Sequence, residues 1–159
     1  MLSCRLYLPN DFERLYAIEK ACFAPPFRFD RRYMRQLVRS ANTATWIAEL
    51  DGEMAGFAIV EWSLDDGQIS AYIQTIEVAP QARRRGVGGK LLGQTEQSAR
   101  LAWASVLWLH VEEKNPEAIR IYEAHGYRTE GREENYYPQG RAALIYAKRL
   151  AAVGFATNC

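Results

Sequence analysis

The period of the apolar positions changes several times along the chain, and each change marks an element. Residues 3–8 suit a short strand ended by Pro9, after which Asn10 or Asp11 can cap a helix carrying Leu15, Ile18 and Cys22 at helical spacing. That helix must stop at Phe23-Ala24-Pro25-Pro26-Phe27, because two successive prolines remove backbone donors and impose an extended path. Asp30 stands where it can cap a second helix through about Ser40, with Tyr33, Met34, Leu37 and Val38 on the buried side. Residues 43–50 and 54–62, rich in β-branched and aromatic types, flank Asp51-Gly52, a hairpin signal. Asp65-Asp66-Gly67 makes the next turn, residues 68–78 form a third strand of this meander, and a helix follows from about Val87 to Arg100. The continuous apolar run at 105–111 predicts a central, partly parallel strand buried on both sides. Asn115-Pro116-Glu117 opens a fourth helix that stops at Gly126. Residues 127–130 and 141–150 close the chain as two strands joined through Asn135-Tyr136-Tyr137-Pro138-Gln139-Gly140.

The segment with the clearest chemistry joins the meander to its helix. After Val78 and Pro80 come Arg83, Arg84, Arg85, Gly86, Val87, Gly88 and Gly89. A helix start leaves backbone N–H groups without partners and carries partial positive charge, so small residues there can wrap a phosphate. Three arginines add forked donors suited to phosphate oxygens. The competing reading is a basic surface turn before an ordinary helix. Phe23, Pro25 and Phe27 likewise have two readings, a hydrophobic plug on the core or one wall of a substrate groove.

Length and composition narrow the field. The 159 residues suit one domain, expected over 1–150, with 151–159 as a patternless tail. Lys+Arg number 20 against Asp+Glu 19, so a net charge of +1 offers no general attraction to nucleic acid or membrane. Cys4, Cys22 and Cys159 are widely spaced and suggest neither a disulfide framework nor a metal site. The N-terminus lacks a signal-peptide core, and no apolar run is long enough to span a bilayer. A cytoplasmic protein, monomeric or weakly dimeric, is the expectation.

The order β-α-α-β-β-β-α-β-α-β-β, with Arg83-x-x-Gly86-x-Gly88 after Val78-x-Pro80, resembles the GNAT superfamily of acyl-CoA N-acyltransferases over nearly the whole chain. A second signature, Asn115-Pro116-Glu117-Ala118-Ile119 through Tyr122 to Gly126-Tyr127, is similar to the helix by which many of these enzymes hold the cofactor. The resemblance implies an α/β fold of mixed α+β character, a twisted sheet of about seven strands flanked by about four helices. Within the superfamily, Trp108-Leu109-His110-Val111 and Asn135-Tyr136-Tyr137-Pro138 resemble the protein N-terminal acetyltransferases, including bacterial enzymes that act on the N-terminal alanine of a ribosomal protein. Ala71-Tyr72-Ile73-Gln74-Thr75-Ile76 resembles a strand of their eukaryotic branch. The bacterial enzymes usually carry glutamate where His110 stands, and the eukaryotic branch carries histidine.

The resemblance implies acetyl-CoA as co-substrate, no metal, and a peptide or protein N-terminus as acceptor, a ribosomal protein among the candidates. Its pyrophosphate would lie on Arg83, Arg84, Arg85, Gly86, Val87, Gly88 and Gly89, and its pantetheine arm beside Ile76 and Val78, held by Asn115. Tyr72, His110 and Tyr122 would surround the acetyl group. An ammonium has no lone pair, so the acceptor must lose a proton before it attacks. An α-amine, with a reference value of about 7.7 to 8.0, gives its proton up more readily than lysine near about 10.4. A histidine is matched to the first task and poorly matched to the second. His110 is therefore the expected general base, acting through a water, with Tyr72 positioning that water or the amine, and Tyr122 would protonate the departing thiolate or hydrogen-bond the sulfur. Phe23, Pro25, Phe27, Tyr72, Tyr136 and Tyr137 would wall the acceptor groove. Two alternatives stand. A lysine or small-amine acetyltransferase, for instance on a polyamine or antibiotic, would draw on carboxylates such as Glu61, Asp65, Asp66, Glu133 and Glu134. A non-catalytic acyl-CoA-binding module would need neither His110 nor Tyr122.

Overall fold

The computed structural model describes residues 1–151. The proposed tail therefore lies almost wholly outside the described residues, as does Cys159. Seven strands form one sheet in the order β1-β2-β3-β4-β5-β7-β6. They are β1 (Leu2–Leu6), β2 (Thr43–Leu50), β3 (Glu53–Asp65), β4 (Gln68–Val78), β5 (Val106–Glu112), β6 (Arg128–Tyr137) and β7 (Arg141–Arg149). Four helices accompany them: α1 (Phe12–Cys22), α2 (Arg31–Arg39), α3 (Val87–Leu101) and α4 (Pro116–Ala124). Every pairing is antiparallel except β4 with β5.

Local chemistry explains most boundaries. Asp51 and Gly52 both adopt positive φ, 53° and 87°, the conformation a two-residue hairpin turn demands, and Asp66-Gly67 repeats it at 49° and 77°. Asp30 accepts from the Tyr33 N–H at 2.8 Å, and Asn115 from the Ala118 N–H at 3.2 Å, capping α2 and α4. Asp11 does not cap α1 with its side chain. Its carboxylate instead accepts the Leu8 N–H and both arms of the Arg5 guanidinium at 2.8 to 2.9 Å. A forked, charge-assisted pair outcompetes one neutral cap bond.

Three expectations change. β5 is buried on one side only: Leu107, Leu109 and Val111 are in the core, whereas Trp108 and His110 alternate to the other side and are half-buried. Tyr33 is not on the buried side of α2 but 39% exposed, beside Phe29 at the mouth of a cavity. β6 runs on to Tyr137, well past residue 130, because the chain stays extended through a bulge.

Strand β4 positions the cleft. It pairs with β5 at only three positions, Ser70 with Val106, Ala71 with Leu107 and Tyr72 with Trp108. Beyond Tyr72 the two strands part, leaving the backbone of residues 73–78 without a β5 partner in the ladder. A bulge in β4, where Thr75 faces Ile59 but Ile73 faces Val60, inserts Gln74 and re-aims the side chains that follow. Ile73 joins the core with Leu92, Leu109 and Tyr122, while Tyr72 beside it points to the opposite side, toward His110.

Candidate active site

A cavity of about 700 Å³ opens where β4 and β5 separate. Its floor carries Tyr72, Leu109 and His110, and its walls include Phe23, Phe27, Tyr33, Tyr136 and Tyr137. Ile76, Asn115 and Tyr122 line its other end. The structure thus brings nine of the predicted residues together from elements distant in sequence. Pro25 is not among the lining residues, and its neighbour Pro26 takes that place in the wall.

His110 is the best-connected group of the floor. Its Nδ1 lies 2.8 Å from the Tyr72 hydroxyl, and its Nε2 lies 3.0 Å from Glu133 Oε1. Tyr136 stacks on the imidazole at 4.0 Å between centroids and 10° between planes. Only 8% of the histidine side chain is exposed. Tyr136 reaches this position because β6 slips register between Glu133 and Tyr137, with Asn135 at φ 54°. Without that bulge, residues 133 and 136 would point to opposite faces of the sheet.

Burial pushes the Tyr72 phenol well above its ordinary range, and the bond to Tyr136 adds to the effect. Tyr72 therefore remains a neutral hydroxyl, able to accept and donate at once but not to act as a base. Burial alone raises the Tyr122 phenol above its ordinary range. A full proton transfer from it to a thiolate, whose conjugate acid lies near about 8.5, would run uphill. Its chemistry is that of a neutral hydrogen-bond donor.

At the cradle, Gly86 is the N-cap of α3 with φ 82°, a conformation natural to glycine. No side chain caps this helix. Lys90 makes the first backbone bond back to Gly86, which leaves the N–H groups of Val87, Gly88 and Gly89 without an intrahelical acceptor. These features fit a pyrophosphate. The arginines are arranged less uniformly than their run suggests. Arg83 folds back on the Val78 carbonyl at 3.3 Å and on Cys22 Sγ at 3.6 Å, and Arg84 lies 3.7 Å from Glu117. The Val78 carbonyl also accepts from Cys22. The Asn115 oxygen is engaged in capping α4, so its amide nitrogen is what it can offer a ligand.

Two groups escaped the sequence reading. Glu133 appeared there only as a carboxylate near a loop, yet it faces His110. Glu19 of α1 and Glu77 of β4 form a buried carboxyl pair beside the cavity, 1% and 3% exposed. Thr75 Oγ1 donates to Glu77 at 2.7 Å, and Glu19 accepts the Phe29 N–H at 3.0 Å. Burial, together with the bond to Glu19, holds the Glu77 carboxyl well above the usual carboxylate range. Neither pairing leaves a signal in local sequence, since the partners lie 23 and 58 positions apart. Among the described residues, no group of three or more His, Cys, Asp or Glu side chains could hold a metal ion.

A mixed sheet with a cavity where β4 and β5 splay, and a glycine cradle at a helix start outside the residues that line that cavity, are the features of a transferase that takes its acyl group from acetyl-CoA. The sequence profile of the Acetyltransferase (GNAT) family matches residues 12–127, and the chain belongs to that family. Among curated relatives, the chain is similar to the ribosomal protein bS18-alanine N-acetyltransferase of Escherichia coli K12. The two are 35% identical over 129 residues, which cover 81% of this chain and 82% of that protein. It is also similar to the streptothricin acetyltransferase of Streptomyces lavendulae, 36% identical over 104 residues. That match covers 65% of this chain but only 53% of the relative. Among solved structures, the ribosomal-protein-S18-alanine N-acetyltransferase from Escherichia coli superposes with a TM-score of 0.84, 26% identity and 98% coverage of each chain.

Proposed function

We propose that this acetyltransferase modifies the α-amino group of a peptide or protein N-terminus, a ribosomal protein being the favoured acceptor. The observation that carries the reading is the Tyr72–His110 pair, 2.8 Å apart, on the floor of an aromatic pocket at the point where β4 and β5 separate. The named activity of the Escherichia coli relative, matched over most of both chains, supports the acceptor class.

Bound acetyl-CoA supplies an electrophilic thioester. The chain supplies position and proton management. The N–H groups of Val87, Gly88 and Gly89 hold the pyrophosphate, Ile76 and Asn115 flank the pantetheine arm, and the phenol of Tyr122 donates to the sulfur as charge develops there. His110 is the general base. Because Tyr72 stays neutral and stands between the imidazole and the cavity, it hands the acceptor's proton to Nδ1 rather than keeping it. Phe27, Tyr33, Tyr136 and Tyr137 grip the first residues of an extended peptide.

The streptothricin acetyltransferase match favours a second reading, a small amine as acceptor. None of the five carboxylates expected of such a site lines the cavity, whose own carboxylates are Glu19, which accepts the Phe29 N–H, and Glu112, which is paired with Arg141. Glu61 accepts from Gln74, Asp65 from Ser63, and Glu134 pairs with Arg132. The test is acetyl-CoA turnover with N-terminal peptides, an N-blocked lysine peptide and a panel of polyamines. The N-terminal peptides should be preferred. Preference for lysine or polyamine acceptors would overturn the reading.

A further inference from the structure

Glu133 lies on β6, separated from His110 on β5 by the intervening strand β7. In register, His110 faces Ile145, Ile145 faces Gly131, and Glu133 faces Ala143. Ala143, the short residue of β7 opposite Glu133, lets the Glu133 side chain cross that strand beside Ile145. Its Oε1 arrives 3.0 Å from His110 Nε2. A carboxylate can only accept, so Nε2 must carry the hydrogen. The lone pair of the neutral ring is then on Nδ1, where the Tyr72 hydroxyl donates to it at 2.8 Å. Tyr136 closes the ring from above by stacking, and its hydroxyl stands 3.5 Å from that of Tyr72.

We propose that Glu133 is the positioning residue of a Tyr72–His110–Glu133 relay, fixing the Nε2–H tautomer of His110 and stabilising the imidazolium that forms when the acceptor is deprotonated. The inference rests on the reading of His110 as the base for an α-amine. In the step, the acceptor ammonium gives a proton to Tyr72 Oη as the Tyr72 proton passes to His110 Nδ1. The neutral amine then attacks, the C–N bond forms and the thioester C–S bond breaks. The proton left on nitrogen neutralises the thiolate through solvent, and His110 returns its own proton to solvent. The titratable groups facing this imidazole are few. Tyr72 comes from β4, and Glu133 and Tyr136 come from β6. On its own strand, Glu112 is engaged by Arg141 of β7 at 3.2 Å. Arg132, next to Glu133, is held by Glu113 and Glu134 at 2.8 Å each. Glu133 is thus the one carboxylate among the described residues given a bond to the ring.

The side chain of Glu133 is 48% exposed, so Glu133→Gln and Glu133→Ala should fold. Nitrogen-15 NMR of the free enzyme reads the tautomer directly, with His125 as the only other histidine to assign. Wild type should show Nε2–H at His110, and Glu133→Ala should lose that preference. With an N-terminal peptide as acceptor, Glu133→Gln should lower kcat by about tenfold to a hundredfold, a fraction of what general base catalysis supplies. KM for acetyl-CoA should stay unchanged. A wild-type tautomer in Glu133→Ala, or an unchanged kcat in Glu133→Gln, overturns the proposal. Failure of wild type to use N-terminal peptides would instead overturn the acceptor reading, while the tautomer still decides the role of Glu133.

Discussion

The buried carboxyls Glu19 and Glu77 give the fold a predictable dependence on pH. Each has one oxygen, Oε1, for which no donor stands nearby in the described protein, although both side chains are almost fully buried. Two ionised carboxylates in that position would repel and be poorly solvated, so Glu77 keeps a proton and shares it with Glu19. In the unfolded chain a glutamate loses its proton near about pH 4.3. Above that pH the folded state therefore holds a proton that the unfolded state has released. The stability this group provides is complete below about pH 4.3 and drains as pH rises toward its elevated folded value, by about 1.4 kcal/mol per unit. For a domain with a total of about 5 to 15 kcal/mol, each unit is a sizeable fraction. Glu77→Gln replaces the shared proton with an amide that can still donate to Glu19 and cannot ionise. Urea unfolding of both proteins at pH 5, 6, 7 and 8 is the assay. The variant should gain on wild type by about 1.4 kcal/mol for each unit until Glu77 titrates in the fold. Two stability curves running parallel from pH 5 to 8 would refute the shared proton.

Other consequences are more local. His110→Ala should lower kcat by about a hundredfold to ten-thousandfold and abolish the rising pH limb, while acetyl-CoA affinity measured by calorimetry stays close to wild type. Tyr122→Phe removes a buried donor rather than an acid. It should reduce kcat without moving the pH profile, which stopped-flow thiol release at several pH values will check. Gly56→Ala should destabilise the fold by about 1 to 3 kcal/mol or more in a denaturant titration, because its Cβ would lie 2.4 Å from the backbone oxygen of Glu77, an atom that cannot step aside.

Where local chemistry dictates structure, the chain could be read directly. Asp51-Gly52 and Asp66-Gly67 specify hairpin turns, Asp30 and Asn115 specify caps, and the glycines after Arg85 specify an uncapped helix start. The apolar run of β5 misled because Trp108 and His110 look like core residues in a continuous stretch, while alternation turns both away from the core and places His110 in the cleft. The bulges at Gln74 and Asn135 could not be placed, since nothing in those tripeptides announces an extra residue. They decide which side chains face the cavity. Tyr72, His110, Tyr122 and the aromatic loops were legible through family motifs, whereas the partners of His110 and Glu77 were not. Glu133 reaches His110 across β7, which lies between β5 and β6 in the sheet, so the contact is set by topology rather than by spacing in the sequence.

The central claim is that the acetyl group goes to an α-amine. A single peptide with a free N-terminal alanine and one internal lysine, incubated with the enzyme and acetyl-CoA and fragmented by tandem mass spectrometry, tests it most directly. The account predicts acetyl on the N-terminal nitrogen with the lysine unmodified. Acetyl on the lysine side chain, with the N-terminus left free, would contradict it.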